Sequence, residues 1–477
     1  MEKSKDALPQ NTLVMKYGGT SVGTIAAMQS AVQIICETKA ERENLVVVTS
    51  AISGATNLLI QSATDAAEGN GLTSEKAARE LTLRHHEMID KLIQDPNKWL
   101  QLKMDINRLL SDFTNLCQAI KILGELSPRA LDTVSSLGER LAVRILAAAV
   151  ESAGFPAKAV EASQIIITDD CFQNAAPDMK LTTARCEKVL APLLNEGIVP
   201  IVTGFMGATP DGVITTLGRG GSDYSASILA VGLRATEVWI WTDVTGVMSA
   251  DPRIIPQAKT IPYLSYKEVS EMAFYGAKVL HPKSVKPCVD NQIIMRICNT
   301  FYPKKAGTLL VDNSRTTDIG KIKAVTSANG YKLITVSGAG MDNGMNVSAR
   351  IFAGFVEDGV NVSMVIESSS EQSLCFPVAI KDVNRVIKML NQVLEKEISR
   401  KDIEEIQISD TVDIITVICP GLKTNPIVIA QVLNQIDSKG IRIKALSYGA
   451  SDVSLNLIVA SENTKESLKC IHELISQ

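Results

Sequence analysis

The chain has few aromatic residues and no basic excess, and these shortages exclude several classes of protein. Phe, Trp and Tyr make up 4% of its 477 residues, which argues against a nucleic-acid surface built on base stacking. Lysine and arginine number 48 against 52 acidic residues, so there is no basic footprint for nucleic acid. No apolar run reaches the ~18 residues of a membrane span, and the polar N-terminus lacks a signal-peptide core. We expect a cytoplasmic protein without nucleic-acid or membrane partners.

The chain also lacks the patterns of a metal or disulfide site. Its nine cysteines are scattered and form no CxxC pair, which predicts reduced thiols that lie mostly in the core, with no disulfide framework and no metal site. Of the four histidines, His85 and His86 lie in a charged helical segment and are expected to be solvated. His281 precedes a proline and is expected to be structural.

The most informative segment that is present reads LGRGGSDYS, from Leu217 to Ser225. Its glycines allow a ligand to approach the backbone, and the helix predicted to follow would point free N–H groups at an anion. Ser222 and Asp223 are residue types that cap a helix N-terminus. Arg219 adds a planar fork for a carboxylate or phosphate. The segment predicts a site for an anionic substrate beside a phosphate.

A second glycine turn, KYGGTS from Lys16 to Ser21, follows a short buried-strand pattern and precedes a helical one. Such a turn with a lysine at the strand end is typical of a phosphate cradle. It is neither a Walker A loop nor GxGxxG. Either glycine turn alone is equally well explained as a tight strand-to-helix connection. Two of them, each beside a basic residue, favour phosphate chemistry.

The chain is long enough for about two to four domains. Residues 12 to about 300 alternate strands and helices, and the continuous β-branched runs predict a mostly parallel sheet covered on both faces. The predicted strands lie at 45–50, 157–160, 198–203, 237–241 and 293–297. A polar helical arm occupies about 61–131, where it either packs beside the sheet or forms a cleft wall. A linker is predicted at 301–319.

Beyond the linker the sequence repeats itself with an offset of 81 residues, so that Gly340 matches Gly421 and Gly359 matches Gly440. The order of patterns in each copy predicts a small α+β unit of βαββαβ character. So long a period indicates duplicated domains rather than a solenoid.

Other polar residues are placed for binding, each with a structural alternative. Ser50 and Thr56 follow a strand end, where open α/β sheets bind ligands, although Thr56 alone could equally cap a helix. Glu139 points off the apolar stripe of a helix, so it either faces solvent or holds a substrate ammonium group. The loop from Thr242 to Arg253 suits an adenine and ribose site, and Lys278 could reach polyphosphate.

Several segments in order resemble the aspartate kinases of the amino acid kinase superfamily: KYGGTS, VTSAISGATN, SSLGERL, TTLGRGGSDYSA, WTDVTGV…DPR and GAKVLHP. The resemblance covers nearly the whole chain, including a C-terminal pair similar to two ACT domains. It implies a three-layer αβα sandwich with a mostly parallel sheet at 12–305, followed by two ferredoxin-like α+β ACT domains at 322–402 and 405–477.

The resemblance further implies transfer of the γ-phosphoryl group of ATP, with Mg²⁺, to the β-carboxylate of L-aspartate. This is the entry to lysine, threonine and methionine synthesis. A carboxylate acceptor is already ionised at pH 7, so no general base is required. By motif match the catalytic residues would be Lys16, Arg219 and Asp223, and the substrate-binding residues Ser50, Thr56, Glu139, Arg219 and Ser222. The nucleotide-binding residues would be Lys16, Gly18, Gly19, Thr20, Thr242, Asp243, Met248, Arg253, Lys278 and Val279.

The ACT pair implies dimerisation or higher assembly and an amino-acid effector at Met341, Gly344, Asn361, Glu367 and Tyr448. The IESSSE segment from Ile366 is closer to the QGSSE segment of threonine-sensitive aspartate kinases than to that of lysine-sensitive ones. Threonine is therefore the first expectation, and lysine, both amino acids or no effector remain open. Glu367 and Tyr448 replace the glutamine of that segment, and Met248 replaces a tyrosine common in the nucleotide loop. No fused homoserine dehydrogenase is expected.

Two alternatives accompany the kinase hypothesis. One is a catalytically weak amino-acid sensor that keeps the fold and the ACT pair for binding. Intact Lys16, Glu139, Arg219 and Asp223 count against it. The other is a kinase of the same superfamily with a different acyl acceptor, against which Glu139 and the ACT pair count.

Overall fold

The structure is a computed structural model that describes residues 10–277, 280–312, 318–338, 344–368, 373–403 and 405–475. The described residues form two compact units. The first takes its residues from 1–247, 260–266 and 279–315, and the second from 248–259, 267–278 and 316–477. Two segments that precede the predicted linker therefore belong to the second unit.

The first unit alternates strands with helices, as the sequence predicts. Its strands are β1 (Leu13–Tyr17), β2 (Leu45–Thr49), β3 (Ala157–Val160), β4 (Val199–Thr203), β5 (Met206–Ala208), β6 (Ile214–Thr216), β7 (Glu237–Thr242), β8 (Tyr263–Ser265), β9 (Ile294–Asn299) and β10 (Thr308–Val311). Its helices are α1 (Ile25–Glu41), α2 (Ala55–Ala67), α3 (Leu72–Leu92), α4 (Pro96–Leu123), α5 (Pro128–Ser135), α6 (Leu137–Ser152), α7 (Met179–Asn195), α8 (Gly221–Gly232) and α10 (Pro282–Asp290). Helix α9 (Tyr266–Phe274) begins in this unit and continues in the second.

Eight of these strands form one sheet in the order β3-β4-β2-β1-β7-β9-β10-β8. All neighbours run parallel except β9 and β10. Strands β1 and β2 are buried along their whole length. Alternate residues such as Met15 and Val47 join one apolar cluster with α1 and α6, while Val14 and Val48 are buried on the opposite face. The sheet is thus covered on both faces, which confirms the predicted three-layer class.

Local signals set the ends of the helices. Thr24 Oγ1 accepts a hydrogen bond from the amide of Ala27 at the start of α1. Asp95 caps α4, which has proline at its first position and is followed by Gly124 with φ of 66°.

The prediction that His85 is solvated was wrong. His85 is fully buried, and its Nδ1 lies 2.7 Å from the carbonyl oxygen of Leu81.

The predicted linker at 301–319 also needs correction, because it contains β10. This strand pairs antiparallel with β9 and parallel with β8, so it completes the sheet of the first unit. The TLLV sequence of β10 is too short to show the alternation of apolar and polar residues that marks a strand, and its neighbours are polar.

The second unit contains the repeats. Its strands are β11 (Ala324–Ser337), β12 (Ile366–Ser368), β13 (Ser373–Ala379), β14 (Glu405–Ile418), β15 (Ile443–Ser447) and β16 (Ser454–Ala460). Its helices are α11 (Gly344–Glu357), α12 (Val383–Val393), α13 (Glu395–Ser399), α14 (Ile427–Asp437) and α15 (Thr464–Glu473). The strands form one sheet in the order β12-β13-β11-β14-β16-β15, with the long first strands of the two repeats paired antiparallel at its centre. Within the described residues each repeat supplies three strands, in the order strand, helix, strand, strand, helix, and the fourth strand of the βαββαβ description is not among them.

Candidate functional site

The loops that follow four parallel strands of the first unit lie side by side. The amide of Gly18 donates to the carbonyl oxygen of Trp241 over 3.1 Å, which joins the start of the loop after β1 to the end of β7. The amide of Ser50 donates to Tyr17 over 3.1 Å, and that of Gly204 to Thr49 over 2.9 Å. The loops after β1, β2, β4 and β7 therefore form one edge, where open α/β sheets bind ligands.

Lys16 and Asp223 meet at this edge. Lys16 lies inside β1 rather than in the turn after it, and its Nζ is 2.6 Å from Oδ1 of Asp223. Asp223 stands in the first turn of α8, where the helix dipole favours negative charge. The same place would favour a phosphate oxygen, so the lysine and the helix start together suit an anionic ligand.

The glycines of the loop after β1 are required by close packing. A Cβ atom on Gly19 would lie 2.9 Å from the carbonyl oxygen of Ala51, and one on Gly23 would lie 2.7 Å from that of Gly19. Only glycine lets this loop approach the loop after β2 so closely. Thr20 is exposed at its tip. The backbone of the loop is thus held open towards solvent beside Lys16.

Glu139 is buried at the start of α6, with 3% of its surface exposed, so the solvent-facing alternative was wrong. Burial raises the pKa of its carboxyl group to about 8, although hydrogen bonds from the amide of Ala51 and its own amide and the charge of Lys16 act in the opposite direction. Its Oε2 has no hydrogen-bond partner among the described residues. A buried acceptor of this kind needs a donor, and a bound ligand can provide one.

Three hydroxyl side chains surround this edge. Gly138 seats α6 against the loop after β2, because a Cβ atom there would lie 2.7 Å from Cβ of Ala51 and 3.4 Å from Oγ1 of Thr56. Ser222 packs closely on Gly204, because a Cβ atom added to Gly204 would lie 2.7 Å from Cβ of Ser222. The side chains of Ser50, Thr56 and Ser222 form no hydrogen bond within the described part of the chain. Helix α2 is capped by Gly54 without a side-chain bond, so the capping alternative for Thr56 was wrong.

Arg219 stands between two glycines with left-handed backbone, Gly218 with φ of 77° and Gly220 with φ of 73°. Helix α8 begins at Gly221 with Gly220 as its N-cap, so capping by Ser222 and Asp223 was wrong. Arg219 is exposed and forms no ion pair or hydrogen bond with the residues that the structure describes. Its guanidinium group is therefore available to an anion.

The predicted nucleotide residues are divided between the units. Thr242 is the last residue of β7 and Asp243 follows it, and the Thr242 hydroxyl donates to Oδ1 of Asp243 over 3.1 Å. Met248 and Arg253 belong to the second unit. The guanidinium group of Arg253 donates three hydrogen bonds to the carboxylate of Asp251, the shortest of 2.6 Å. Lys278 and Val279 lie outside the described residues.

The segment that carries Met248 and Arg253 is built into the core of the second unit. Ala250 and Ile255 join the apolar cluster formed by the second repeat. Ser249 Oγ lies 2.9 Å from Nε2 of His472, on α15. The sequence placed this segment with the kinase-like half, and no local pattern indicates where it packs.

The predicted effector residues that the structure describes lie on or beside different elements of the second unit. Met341 lies outside the described residues, and Gly344 is the first residue of α11. Asn361 and Glu367 are exposed, the latter on β12. Tyr448 is 41% exposed, and its hydroxyl donates to the carbonyl oxygen of Leu422 over 3.2 Å.

Sequence reasoning missed one buried carboxylate near the Arg219 loop, that of Asp132 on α5. It is 1% exposed and accepts hydrogen bonds from Gln173 and Thr216. A charged residue in a short helix of mixed polarity carries no clear signal in the sequence. Within the described residues no helix is long and apolar enough to cross a membrane, and no group of three or more His, Cys, Asp or Glu side chains could hold a metal ion.

The fold is that of an α/β protein in which a lysine and a helix N-terminus meet at the carboxyl ends of the parallel strands. A model of the amino acid kinase family matches residues 11–299, and an ACT domain model matches residues 334–394. The chain therefore belongs to the amino acid kinase family and carries an ACT domain.

Proteins similar to this chain bear aspartokinase names. The bifunctional aspartokinase/homoserine dehydrogenase 2 of Arabidopsis thaliana is 29% identical over 96% of this chain and 50% of its own length. The chain thus spans about half the length of the first relatives it matches. Aspartokinase 2 of the same plant is 29% identical over 97% of this chain and 84% of its own length.

A solved structure covers almost the whole chain. Aspartokinase III of E. coli, in complex with aspartate and ADP, is 27% identical, with a TM-score of 0.82 over 98% of this chain and all of that one. The same enzyme in complex with lysine and aspartate has a TM-score of 0.77 over the same shares of both chains.

Proposed function

We propose that the chain is an aspartate kinase, which transfers the γ-phosphoryl group of ATP to the β-carboxylate of L-aspartate to give 4-phospho-L-aspartate. The observation that carries this proposal is the buried Oε2 of Glu139, in a unit that also offers the guanidinium group of Arg219, neither of which has a partner among the described residues. One group suits the ammonium and the other the α-carboxylate of an amino acid. The aspartokinase relatives support the same substrate class.

In this proposal Lys16 binds the transferring phosphoryl group, and the free N–H groups at the start of α8 add positive potential. The acceptor carboxylate is already ionised at neutral pH, so the site has to relieve repulsion between two anions rather than remove a proton. Ser50, Thr56 and Ser222 hydrogen-bond the substrate, and Asp223 holds Lys16 in place through their 2.6 Å contact. Gly18, Gly19 and Thr20 line the phosphates, and Thr242 and Asp243 lie towards the nucleoside.

Magnesium fits this site as a companion of ATP. Mg²⁺ is commonly held by substrate phosphates together with one or two carboxylates, and it neutralises the charge that develops on the phosphoryl group. Asp223 lies in the first turn of α8 with its Oδ1 2.6 Å from Nζ of Lys16, so its carboxylate would hold the ion beside the phosphates. The remaining ligands in this proposal are phosphate oxygens and water.

We further propose that an amino-acid end product regulates the enzyme through the C-terminal repeats and that the chain assembles as a dimer or larger. The ACT domain model and the lysine complex of aspartokinase III support an amino-acid effector. Threonine is the first candidate because of the segment from Ile366, and lysine is the second. Glu367 and Asn361 of the first repeat are exposed, as an effector site requires.

Arg219→Ala is expected to raise the KM for aspartate about 10- to 100-fold, with little change in the KM for ATP. The guanidinium group is the proposed partner of the α-carboxylate, and charge-assisted bidentate pairs are among the strong hydrogen bonds. Initial rates at varied aspartate and ATP give both constants. An equal rise in both would remove Arg219 from the aspartate site.

The kcat/KM for aspartate is expected to rise with pH up to about 8 and then level off, because the pKa of Glu139 is raised to about 8 by burial. The substrate ammonium group needs the ionised carboxylate of Glu139. Below that pKa, each fall of one pH unit therefore lowers kcat/KM by up to about tenfold. The kcat profile reports the bound state, in which the ammonium group lowers this pKa. Glu139→Gln should abolish the rise in kcat/KM between pH 6.5 and 8. A rise that persists in this variant would show that another group is responsible for the pH dependence.

The function is tested by acyl phosphate formation, trapped with hydroxylamine in the presence of ATP and Mg²⁺. L-Aspartate and L-glutamate are compared as acceptors, each with and without threonine or lysine. Turnover on aspartate alone supports the kinase proposal, and suppression by one amino acid identifies the effector. No turnover by a folded protein that still binds an amino acid would contradict it and favour a sensor.

A further inference from the structure

We infer that Asp132 is a positioning residue for substrate binding, whose buried carboxylate holds the loop that presents Arg219. This inference rests on the proposed function, since it takes Arg219 as the partner of the substrate α-carboxylate. Asp132 itself is 1% exposed, so it acts through the loop rather than by touching substrate.

The carboxylate of Asp132 collects three donors from two other segments. Its Oδ2 accepts from the amide of Thr216 over 2.8 Å, and its Oδ1 accepts from the Thr216 hydroxyl over 2.7 Å. Both oxygens also lie within hydrogen-bond distance of the amide of Gln173, at 3.1 and 3.0 Å. A buried carboxylate with this many donors fixes the relative positions of α5, the end of β6 and the turn at Gln173.

Both segments lead directly to the Arg219 loop. Thr216 is the last residue of β6, three positions before Arg219. Gln173 has a φ of 68°, an uncommon conformation for a residue other than glycine, and therefore needs support from its surroundings. A Cβ atom on Gly218 would lie 2.7 Å from the carbonyl oxygen of Gln173, so the loop packs directly on this turn.

The opposite side of the loop is held by α10. Lys283 Nζ donates to Oδ1 of Asn174 over 2.8 Å and to the carbonyl oxygen of Leu217 over 3.3 Å. A Cβ atom on Gly220 would lie 2.7 Å from Cβ of His281. The backbone on either side of Arg219 is therefore fixed, whereas the guanidinium group has no partner of its own within the described residues. The position of that group depends on the loop, and the loop depends on Asp132.

The test is a double-mutant cycle on the full chain, measured as kcat/KM for aspartate by hydroxylamine trapping. Asp132→Ala is expected to lower kcat/KM for aspartate about tenfold or more, with the KM for ATP changed less than about twofold. If Asp132 acts through Arg219, the Asp132→Ala change should have almost no effect in an Arg219→Ala background. Independent, additive losses would overturn the inference.

Two further variants protect the test against a failure to fold. Asp132→Asn keeps the shape and one acceptor oxygen, so its kcat/KM should lie between those of wild type and Asp132→Ala. Thr216→Val removes the hydroxyl donor alone and should show the same dependence on Arg219 with a smaller loss. Either variant behaving additively with Arg219→Ala would count against the inference as strongly as the alanine variant.

Asp413 provides a matched control in the second unit. It is 5% exposed and accepts from the amide of Gly330 and from the hydroxyls of Ser461 and Thr464. Asp413→Ala loses the same number of donors, so its thermal stability should fall comparably while the ratio of the two KM values stays at that of wild type. A selective loss of kcat/KM for aspartate in Asp413→Ala would show that the Asp132 effect is general destabilisation.

The outcomes for wild type separate this inference from the proposed function. If the wild-type protein is inactive on aspartate, the proposed function is overturned. If it is active and the losses of Asp132→Ala and Arg219→Ala are additive, only this inference is overturned.

Discussion

Lys16→Ala is expected to lower kcat about 10²- to 10³-fold while the fold stays intact. Preorganised positive charge at the transferring group is usually the largest single contribution to such a reaction, and removing one donor typically costs about this much. Lys16 is 8% exposed within β1 and reaches the N-terminus of α8. At so buried a position, a water molecule that fills the space left by the alanine variant does not supply the lost positive charge. Hydroxylamine trapping at saturating ATP and aspartate gives kcat directly.

The control for Lys16 must break an ion pair of similar burial elsewhere in the same unit. Arg144 pairs with Glu161 over 2.7 Å, and both side chains are 18% exposed. Arg144→Met should lower thermal stability and leave kcat within about threefold of wild type. Circular dichroism confirms that both variants fold. Near-normal turnover in a folded Lys16→Ala protein would falsify the assignment of this lysine to the phosphoryl group.

Glu139→Gln is expected to raise the KM for aspartate about 100-fold with the KM for ATP nearly unchanged. Glutamine keeps the shape of the side chain and its hydrogen bonds but not the charge that the substrate ammonium requires. Removal of one partner of a buried, hydrogen-bonded charge pair costs about 3 kcal/mol, which corresponds to this factor. Steady-state kinetics at pH 8 with each substrate varied in turn provides the measurement.

Stability separates this role of Glu139 from a structural one. With a folded-state pKa of about 8, against about 4.3 in the unfolded chain, the folded protein keeps a proton that the unfolded chain releases. The contribution of this group to stability is therefore lost as pH rises between those two values. Glu139→Gln should remove that slope and gain in Tm relative to wild type between pH 5 and pH 8. A variant that loses stability equally at both values would indicate a structural residue.

Glu161→Gln is the matched control for the carboxylate. Glu161 lies in the same unit and pairs with Arg140 over 3.1 Å and with Arg144 over 2.7 Å, so its charge serves an internal network. Its replacement should lower Tm at neutral pH and leave the KM for aspartate within about twofold of wild type. A rise in that KM as large as in Glu139→Gln would show that any lost carboxylate in this region disturbs the site.

Much of the first unit could be predicted from the sequence. The strands at 45–50, 157–160 and 237–241 were placed within one residue at each end. The first of them is buried on both faces and reads as a continuous apolar run. The two glycine turns mark the loop after β1 and the start of α8, since only glycine permits the backbone approaches at Gly19 and Gly220. These signals are local, so they survive without knowledge of the fold.

Other properties depend on what packs against a residue, and the sequence left them open or wrong. Glu139 and His85 lie in helices whose patterns suggested exposure, yet both are buried because other elements cover those faces. Strand β10 is recognised only by its partners β8 and β9.

The sequence by itself determined the family, the alternating α/β order, the duplication and the residue types of an anion site, because each depends on local pattern or on motif order. Only the tertiary structure decided that Glu139 has a raised pKa and an oxygen without a partner in the described part of the chain. It also decided that Asp132 gathers Thr216 and Gln173, and that the segment of Met248 packs with the second repeat. Burial, pKa and hydrogen-bond satisfaction depend on neighbours distant in the chain, and no local pattern specifies which neighbours those are.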